Sequence, residues 1–446
     1  MQLRSRRLVA FVFSKLAFAA FALAALPTFW SLENQDDFLA GEAEGLSITS
    51  DGTITLAPDT QTLYEATDPF FWSLTSDGRG NLFAGSGNDG KVYKIDPFGN
   101  ATVMVDTNEL EVHSVVVDRE GNVYAATSPR GRVYKIRPDG GQEVFFDPDD
   151  RYIWALVIDG SGNLLVATGE KGNLYRVNPS GQSELLFESQ ETHLICLTTD
   201  RDGNIYAGSE SNGLVFQIHR NGKVSVLFDT PFQEVHALVV DSKGNVYAAA
   251  VNGEKGPAPP SPAPPTPSVQ APTLPSPPPG TPRETVTVTV TASPLFGPPT
   301  PTPSTTATVK GALFRIRPQG SAERLWESRE NHPLSLKLER DDRLMLGTGK
   351  DGRVFLVRQD NSSALLLRLE AEQVTSIYSP DGRSVFYATS NPAKVYRLTS
   401  DRRAEGVYRS PIKDTKTVST WGKIRWESRA PARTGLTIQT RTGNSA

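Results

Sequence analysis

The sequence predicts an all-β fold made of one repeated four-stranded unit, and two observations support this prediction. First, one turn position recurs every 41 residues along most of the chain, at Asn81, Asn122, Asn163, Asn204 and Asn245, with Arg343 and Ser384 again in the same register. Second, each period holds short apolar segments separated by glycine, asparagine, aspartate and proline, and none has a helical spacing. A repeat of about 40–45 residues with strand-like content is typical of a β-propeller.

The third repeat shows its four strands most clearly. Apolar segments at Trp154–Ile158 and Leu164–Thr168 are joined by the turn Asp159–Asn163, and two further segments follow at Leu174–Val177 and Glu184–Phe187. One such antiparallel sheet cannot bury both of its faces, whereas a ring of sheets stacked side by side can. Each repeat is therefore predicted to be one blade of a propeller.

We predict a β-propeller of about seven four-stranded blades, with a 41-residue repeat, at residues 46–412. Eight blades is the alternative, because Thr53–Ala57 and Thr62–Ala66 resemble the last two strands of an extra unit. These two segments either close the ring by pairing with the last blade or stand outside it.

Two recurring side chains have a structural interpretation. The third strand of each blade carries an aromatic residue that suits a wedge between neighbouring sheets, namely Tyr93, Tyr134, Tyr175, Phe216, Phe314, Phe355 and Tyr396. The turn Asp-x-x-Gly-Asn begins at Asp77, Asp118, Asp159, Asp200 and Asp241. Aspartate there can hydrogen-bond its own turn. Calcium binding is the alternative, but the spacing of known calcium loops is absent, and we predict no metal site.

Residues 1–30 are predicted to be a signal peptide or a membrane anchor. Arg4, Arg6 and Arg7 precede the apolar run Leu16–Leu26, which has the length of a signal-peptide core. We therefore expect an exported protein, periplasmic or extracellular, that touches a membrane only through this segment if it stays uncleaved. An inner-membrane anchor and a twin-arginine signal at Ser5–Val9 remain alternatives.

Two further segments depart from the repeat. Residues 256–309 interrupt blade five with a Pro/Thr/Ser-rich insertion that we expect to be disordered, because 18 prolines within Pro257–Pro303 leave little apolar surface to pack. It is either a plain loop or a mucin-like stalk. Residues 413–446 contain two strand-like runs, Trp421–Trp426 and Leu436–Thr440. These extra strands either begin a β-sandwich or dock on the propeller.

Composition restricts the chemistry. The net charge of −4 gives no reason to expect a nucleic-acid partner, which would need a basic face. A single cysteine, Cys196, allows neither an intramolecular disulfide nor a multi-cysteine metal centre. No H-E-x-x-H, G-x-S-x-G or phosphate-binding glycine loop occurs in the sequence. We predict no cofactor and no catalytic residues.

The turn and the strand that follows it resemble known repeats. Asp118-Arg-Glu-Gly-Asn122-Val-Tyr-Ala-Ala is similar to the core of bacterial NHL-type propellers, and Asp77-Gly-Arg-Gly-Asn81-Leu-Phe-Ala-Gly-Ser resembles the sensor propellers of two-component regulators. The resemblance covers about residues 70–411 without the insert, and it implies a fold more than a function. NHL repeats that contact RNA typically carry Ala-Asp after this strand, whereas this chain has Ala84-Gly85 and Ala126-Thr127.

Chemistry in propellers is expected at the mouth of the central channel, where propeller lactonases and streptogramin-type lyases place acids or histidines. We expect the residues around that mouth to lie at one position near the start of each blade's first strand. These residues are Trp72, His113, Trp154, Ile195, His236, Leu334 and Thr375. Trp72, His113, Trp154 and His236 are the candidate ligand-binding residues. His113 and His236 are three blades apart, too far to share one metal ion.

Two classes of function follow. The first is an exported, non-catalytic propeller that acts as a binding or scaffold module at the cell envelope, with a protein or glycan ligand on the face that carries the channel mouth. The alternative is a propeller hydrolase or lyase of the lactonase kind, or the sensor module of a two-component system. Paired acids at the mouth would favour an enzyme, and the predicted positions contain none.

Overall fold

The computed structural model describes residues 29–253, 309–416, 420, 422–432 and 434–443. Nearly all of the predicted export segment at 1–30 and of the insert at 256–309 lies outside the described residues. The described residues contain one short helix, α1 (Gln35–Leu39), and strands β1–β32, so the all-β class is confirmed. None of the described helices has the length and apolar character needed to cross a membrane.

The repeated aspartate turn joins the first and second strands of the first five repeats. In blade two the Asp118 carboxylate accepts the Asn122 backbone N–H at 2.8 Å and the Asn122 side-chain amide at 2.7 Å. Gly121 takes a φ of 89°, which favours glycine. The same two bonds recur at Asp77, Asp159, Asp200 and Asp241. Both carboxylate oxygens therefore serve the hairpin turn, as the structural interpretation predicts.

Antiparallel pairing groups most described strands into seven four-stranded blades. Within a blade the strands run from the innermost, next to the channel, to the outermost. Blade one consists of β5 (Phe70–Ser76), β6 (Leu82–Gly87), β7 (Lys91–Ile95) and β8 (Ala101–Asp106). Blade two consists of β9 (Glu111–Val117), β10 (Val123–Ser128), β11 (Val133–Ile136) and β12 (Gln142–Phe146). Blade three consists of β13 (Tyr152–Ile158), β14 (Leu164–Gly169), β15 (Asn173–Val177) and β16 (Ser183–Glu188).

The next three blades follow the same order around the insert. Blade four consists of β17 (His193–Thr199), β18 (Ile205–Glu210), β19 (Leu214–Ile218) and β20 (Val224–Asp229). Blade five consists of β21 (Glu234–Val240), β22 (Val246–Val251), β23 (Gly311–Ile316) and β24 (Ala322–Ser328). Blade six consists of β25 (Pro333–Leu338), β26 (Leu344–Thr348), β27 (Arg353–Val357) and β28 (Ser363–Arg368). In blade five the insert falls between the second and third strands.

The seventh blade closes the ring with a strand from the N-terminal side. It consists of β29 (Gln373–Tyr378), β30 (Phe386–Ser390), β31 (Lys394–Arg402) and, as its outermost strand, β4 (Pro58–Glu65). The innermost strands contact one another in order from β5 to β29, and β29 contacts β5. The predicted segment Thr62–Ala66 thus falls largely within a strand that pairs with the last blade.

Four short strands lie outside the ring pattern. β2 (Leu46–Thr49) pairs with the outer edge of β28, and β3 (Ile54–Leu56), within the predicted segment Thr53–Ala57, pairs with β2. β1 (Glu42–Glu44) pairs with β32 (Val407–Arg409). Blade six is therefore extended beyond its outer edge by two strands, first β2 and then β3.

The core lies between adjacent blades, where the third-strand aromatics were predicted to sit. Each of four pairs joins an outermost strand to the third strand of the next blade with ring centroids 5.1–5.4 Å apart: Phe146–Tyr175, Phe187–Phe216, Phe228–Phe314 and Trp326–Phe355. Phe355 is almost fully buried, whereas Tyr134 and Tyr175 are half-buried. The wedge interpretation is confirmed for these four blade junctions.

The described part of the C-terminal segment contains no strand. Residues 422–432 and 434–443 pair with no described strand, and the side chains of Ile424, Trp426 and Leu436 are exposed. The two strands predicted within 413–446 are therefore not formed in the described residues. A strand needs a neighbouring backbone to accept its hydrogen bonds, and no described strand pairs with this segment.

Candidate binding site at the channel mouth

Every innermost strand has a one-residue bulge at the same place. The pairing with the second strand skips one residue in each blade. The skipped residues are Trp72, His113, Trp154, Ile195, His236, Leu334 and Thr375. An unpaired bulge residue bends its strand and re-aims its side chain. All seven are half-buried, so the position read from the sequence is a bulge repeated around the ring.

A second set of residues lies two positions earlier, where each innermost strand begins. Because side chains two apart share one face of a strand, this set lies one step closer to the loops that join the blades. It comprises Phe70, Glu111, Tyr152, His193, Glu234, His332 and Gln373, all half-buried. This set was not among the residues predicted for the mouth. It can be found from the sequence, because each of its members lies two positions before a bulge residue.

Aromatic rings from the first three blades form one continuous cluster. Trp72 stacks on Phe70 with centroids 5.1 Å apart, and Trp154 stacks on Tyr152 at 5.6 Å. His113 lies between the two tryptophans, 6.4 Å from Trp72 and 4.4 Å from Trp154. The rings of Tyr152 and His113 thus pack against Trp154, and the cluster is continuous from blade one to blade three.

The two indole N–H groups differ in their partners. The Trp154 Nε1–H donates to His193 Nδ1 at 3.0 Å. The Trp72 Nε1 is buried and has no hydrogen-bond partner among the described residues. An unsatisfied buried donor costs free energy. Trp72 Nε1 is one of twelve buried side-chain atoms that lack a hydrogen-bond partner among the described residues. The Trp72 N–H is therefore an unpaired donor within the aromatic cluster, enclosed beside Gly87.

Two histidine–glutamate pairs lie on different sides of the mouth. His113 Nε2 lies 2.9 Å from Glu111 Oε2 and 2.9 Å from Ser128 Oγ. His236 Nε2 lies 2.7 Å from Glu234 Oε2. The hydrogen bond from its histidine lowers the pKa of each glutamate below its ordinary value of 4.5. The structure brings Trp72, His113 and Trp154 together but leaves His236 with Glu234, three blades away.

The site has few of the groups that a metal-dependent or thiol-dependent reaction needs. No group of three or more histidine, cysteine, aspartate or glutamate side chains suited to a metal ion occurs among the described residues. Cys196 is buried at the junction with blade five, where its Sγ lies 2.9 Å from the Val235 carbonyl oxygen. Burial raises the pKa of the Cys196 thiol to about 12. Such a thiol stays protonated and unreactive at neutral pH.

The sequence matches no protein-family model and no curated protein. Solved structures are similar in fold. Virginiamycin B lyase from Staphylococcus aureus aligns with a TM-score of 0.56 and 11% identity, over 76% of this chain and 99% of the lyase. The extracellular domain of a hybrid two-component system from B. thetaiotaomicron aligns with a TM-score of 0.54 and 13% identity, over 77% of this chain and 40% of that chain. YCF48 bound to D1 peptide aligns with a TM-score of 0.50 and 12% identity, over 83% of this chain and all of that chain.

These likenesses confirm the resemblance at the level of the fold. The chain is a β-propeller repeat protein of the type found in the lyase and in the sensor domains. At such low identity they carry no function to this chain.

Proposed function

We propose that this chain is an exported, non-catalytic propeller that binds a protein or glycan ligand at the channel mouth, as a binding or scaffold module of the cell envelope. The observation that carries the proposal is the buried Trp72 N–H without a partner among the described residues, set in a ring cluster built by three adjacent blades. A ligand that supplies an acceptor to this N–H removes the cost of leaving the donor unsatisfied.

The surroundings of Trp72 indicate which ligand groups fit. The rings of Phe70, Trp72, His113 and Trp154 offer apolar area next to the Glu111 carboxylate. Carbonyl and hydroxyl oxygens are the acceptors that peptides and sugars share, and both ligand types also carry donors for a carboxylate. On the other side of the mouth, His236 and Glu234 supply a second polar contact.

Export is supported by the sequence. Arg4, Arg6 and Arg7 before the apolar run Leu16–Leu26 form the pattern of a signal peptide or anchor. Fractionation of cells expressing the full chain, with sequencing of its mature N-terminus, tests this part separately.

The binding proposal is tested by removing one donor at a time. Trp72→Phe keeps the ring but removes the free N–H, and we expect about three- to tenfold weaker binding of any ligand selected from a glycan array, peptidoglycan fragments and a peptide array. The double variant Trp72→Ala, Trp154→Ala should lose binding altogether. Affinity is measured by calorimetry after circular dichroism has shown that the variants fold.

The matched control lies on the opposite face. Glu120→Ala and Asp202→Ala change exposed residues of the aspartate turns without removing the turn's own hydrogen bonds. They should bind normally. Normal binding by both tryptophan variants, together with loss of binding in the turn variants, would show that the functional face is the other one.

A further inference from the structure

The outer rim of the propeller repeats one exposed aliphatic residue. Val103, Val144, Leu185 and Val226 occupy the same position on the outermost strands of the first four blades, and each is about half-exposed. The equivalent residue of blade six is Leu365, which is buried. The difference arises because blade six has a fifth strand, β2, on its outer edge.

The covered edge in blade six shows what such a site holds. Ile48 of β2 is paired opposite Leu365, and Leu46 and Ile48 belong to the same apolar cluster as Trp326 and Phe355. The rings of Trp326 and Phe355 lie 5.3 Å apart. β2 therefore adds backbone pairing to an open strand edge and fills the apolar space between blades five and six.

The junction between blades three and four has the same layout without the added strand. Phe187 and Phe216 occupy the positions of Trp326 and Phe355 with ring centroids 5.1 Å apart, and Val226 occupies the position of Leu365. A groove of about 390 Å³ lies here. These three residues, Leu214 and Val224 form its apolar lining, and Glu188, Gln190, Glu191 and Ser225 form its polar lining. No described strand pairs with the outer edge of β20.

The chain also contains a segment with the pattern of β2. β2 reads Leu46-Ser-Ile-Thr49, and the C-terminal segment reads Leu436-Thr-Ile-Gln439, with apolar side chains at the same two alternate positions. Leu436 is 61% exposed, and the segment pairs with no described strand of its own chain. An extended segment with alternating apolar residues is the kind of ligand that adds to an open sheet edge.

We infer that Leu436–Gln439 of a second copy of this chain adds to β20 as an antiparallel fifth strand. By equivalence with β2, Ile438 stands opposite Val226, and Leu436 and Ile438 fill the groove beside Phe187 and Phe216. The segment does not pair with β20 of its own chain, so the partner is another molecule. The groove of each copy can hold the segment of the other, so mutual exchange closes a two-fold dimer.

The test measures the dissociation constant of the full chain's dimer by sedimentation over a wide concentration range. Val226→Arg places a charge in the groove, and Leu436→Asp with Ile438→Asp removes the apolar residues of the segment. We expect each of these two variants to weaken dimerisation at least about tenfold. The residues are exposed, so the fold of the ring should be unchanged, which circular dichroism checks.

A matched control and a mixing experiment complete the design. Val103→Arg changes the equivalent residue of blade one, which is 50% exposed like Val226, and it should dimerise as the unmodified chain does. A mixture of the Val226→Arg variant with the Leu436→Asp, Ile438→Asp variant retains one intact groove and one intact segment, so heterodimers should form. Dimers that persist in every variant would show that the chain associates through another part, and this result would overturn the inference. A chain that is monomeric at all concentrations would also overturn it.

Discussion

In the first three blades, the residue skipped by the bulge packs against the residue at the end of the second strand. Gly87 leaves room for Trp72, and Gly169 leaves room for Trp154 and His193, because a Cβ at either glycine would overlap the indole nitrogen of its tryptophan. In blade two the same position is Ser128, whose hydroxyl is in hydrogen-bonding contact with His113. Two positions per blade therefore set the size and polarity of the mouth.

At the residue scale we predict a stability change in acid. Glu111 and Glu234 have pKa values below 4.5 because His113 and His236 hydrogen-bond to their carboxylates. A carboxyl with a lowered pKa binds fewer protons when folded than when unfolded. Its stabilising contribution is complete above pH 4.5 and is lost as the pH falls through the folded-state pKa.

Urea unfolding at a series of pH values checks this expectation in the Glu111→Gln, Glu234→Gln variant. The free energy of unfolding of the unmodified chain should fall more steeply below about pH 4.5 than that of the variant. Parallel curves for the two proteins in acid would show that these pairs contribute nothing to stability.

At the scale of elements, the hairpin of blade five closes without the help of its insert. Val251 pairs with Gly311, the Asn252 backbone N–H donates to the Lys310 carbonyl at 2.9 Å, and the Asn252 side-chain amide donates to the Val309 carbonyl at 2.8 Å. These bonds bring the two ends together immediately before and after the segment 254–308. The second and third strands therefore pair over their full length.

We predict that residues 254–308 can be replaced by Asn-Gly, a pair that favours a tight hairpin turn. The free energy of unfolding should change by only about 1 kcal/mol, because loop-closure entropy varies slowly with loop length. Thermal unfolding of the shortened chain measures the change. Failure of that chain to fold would show that the segment contributes contacts that the ring needs.

At the scale of the whole molecule, one N-terminal strand closes the ring. β4 pairs with β31 along most of its length, from Glu65 opposite Lys394 to Pro58 opposite Arg402. Tyr64 of β4 also lies 5.8 Å from the ring of Tyr93 in blade one. The same strand therefore completes the last blade and contacts the first.

We predict that removing residues 1–66 lowers the stability of the whole ring by about 3 kcal/mol or more, because the change exposes apolar side chains of the cluster shared by the first and last blades. Calorimetry should show a lower and broader unfolding transition. Removing residues 1–28 alone, which keeps β4, is the control and should leave the transition in place. An unchanged transition after loss of β4 would mean that the other blade contacts suffice to close the ring.

The sequence alone determined the repeating part of this protein. The 41-residue period, the aspartate turns and the third-strand aromatics depend on local spacing. Each of the first six blades can be read from its own residues, because hairpin turns and strand alternation are short-range properties. The mouth position was found in the same way, since Trp72, His113 and Trp154 recur at one place in the repeat. Their role in binding a ligand stays a prediction.

Only the tertiary structure decided what happens between distant parts of the chain. It paired β4 with β31 and β2 with β28, placed His113 between two tryptophans, and left Trp72 without a hydrogen-bond partner among the described residues. It also left Leu436 exposed where the sequence pattern predicts a strand. Alternating side chains indicate that a segment can pair as a strand. Its partner depends on which open strand edge lies within reach, and the closed ring determines which edges are open.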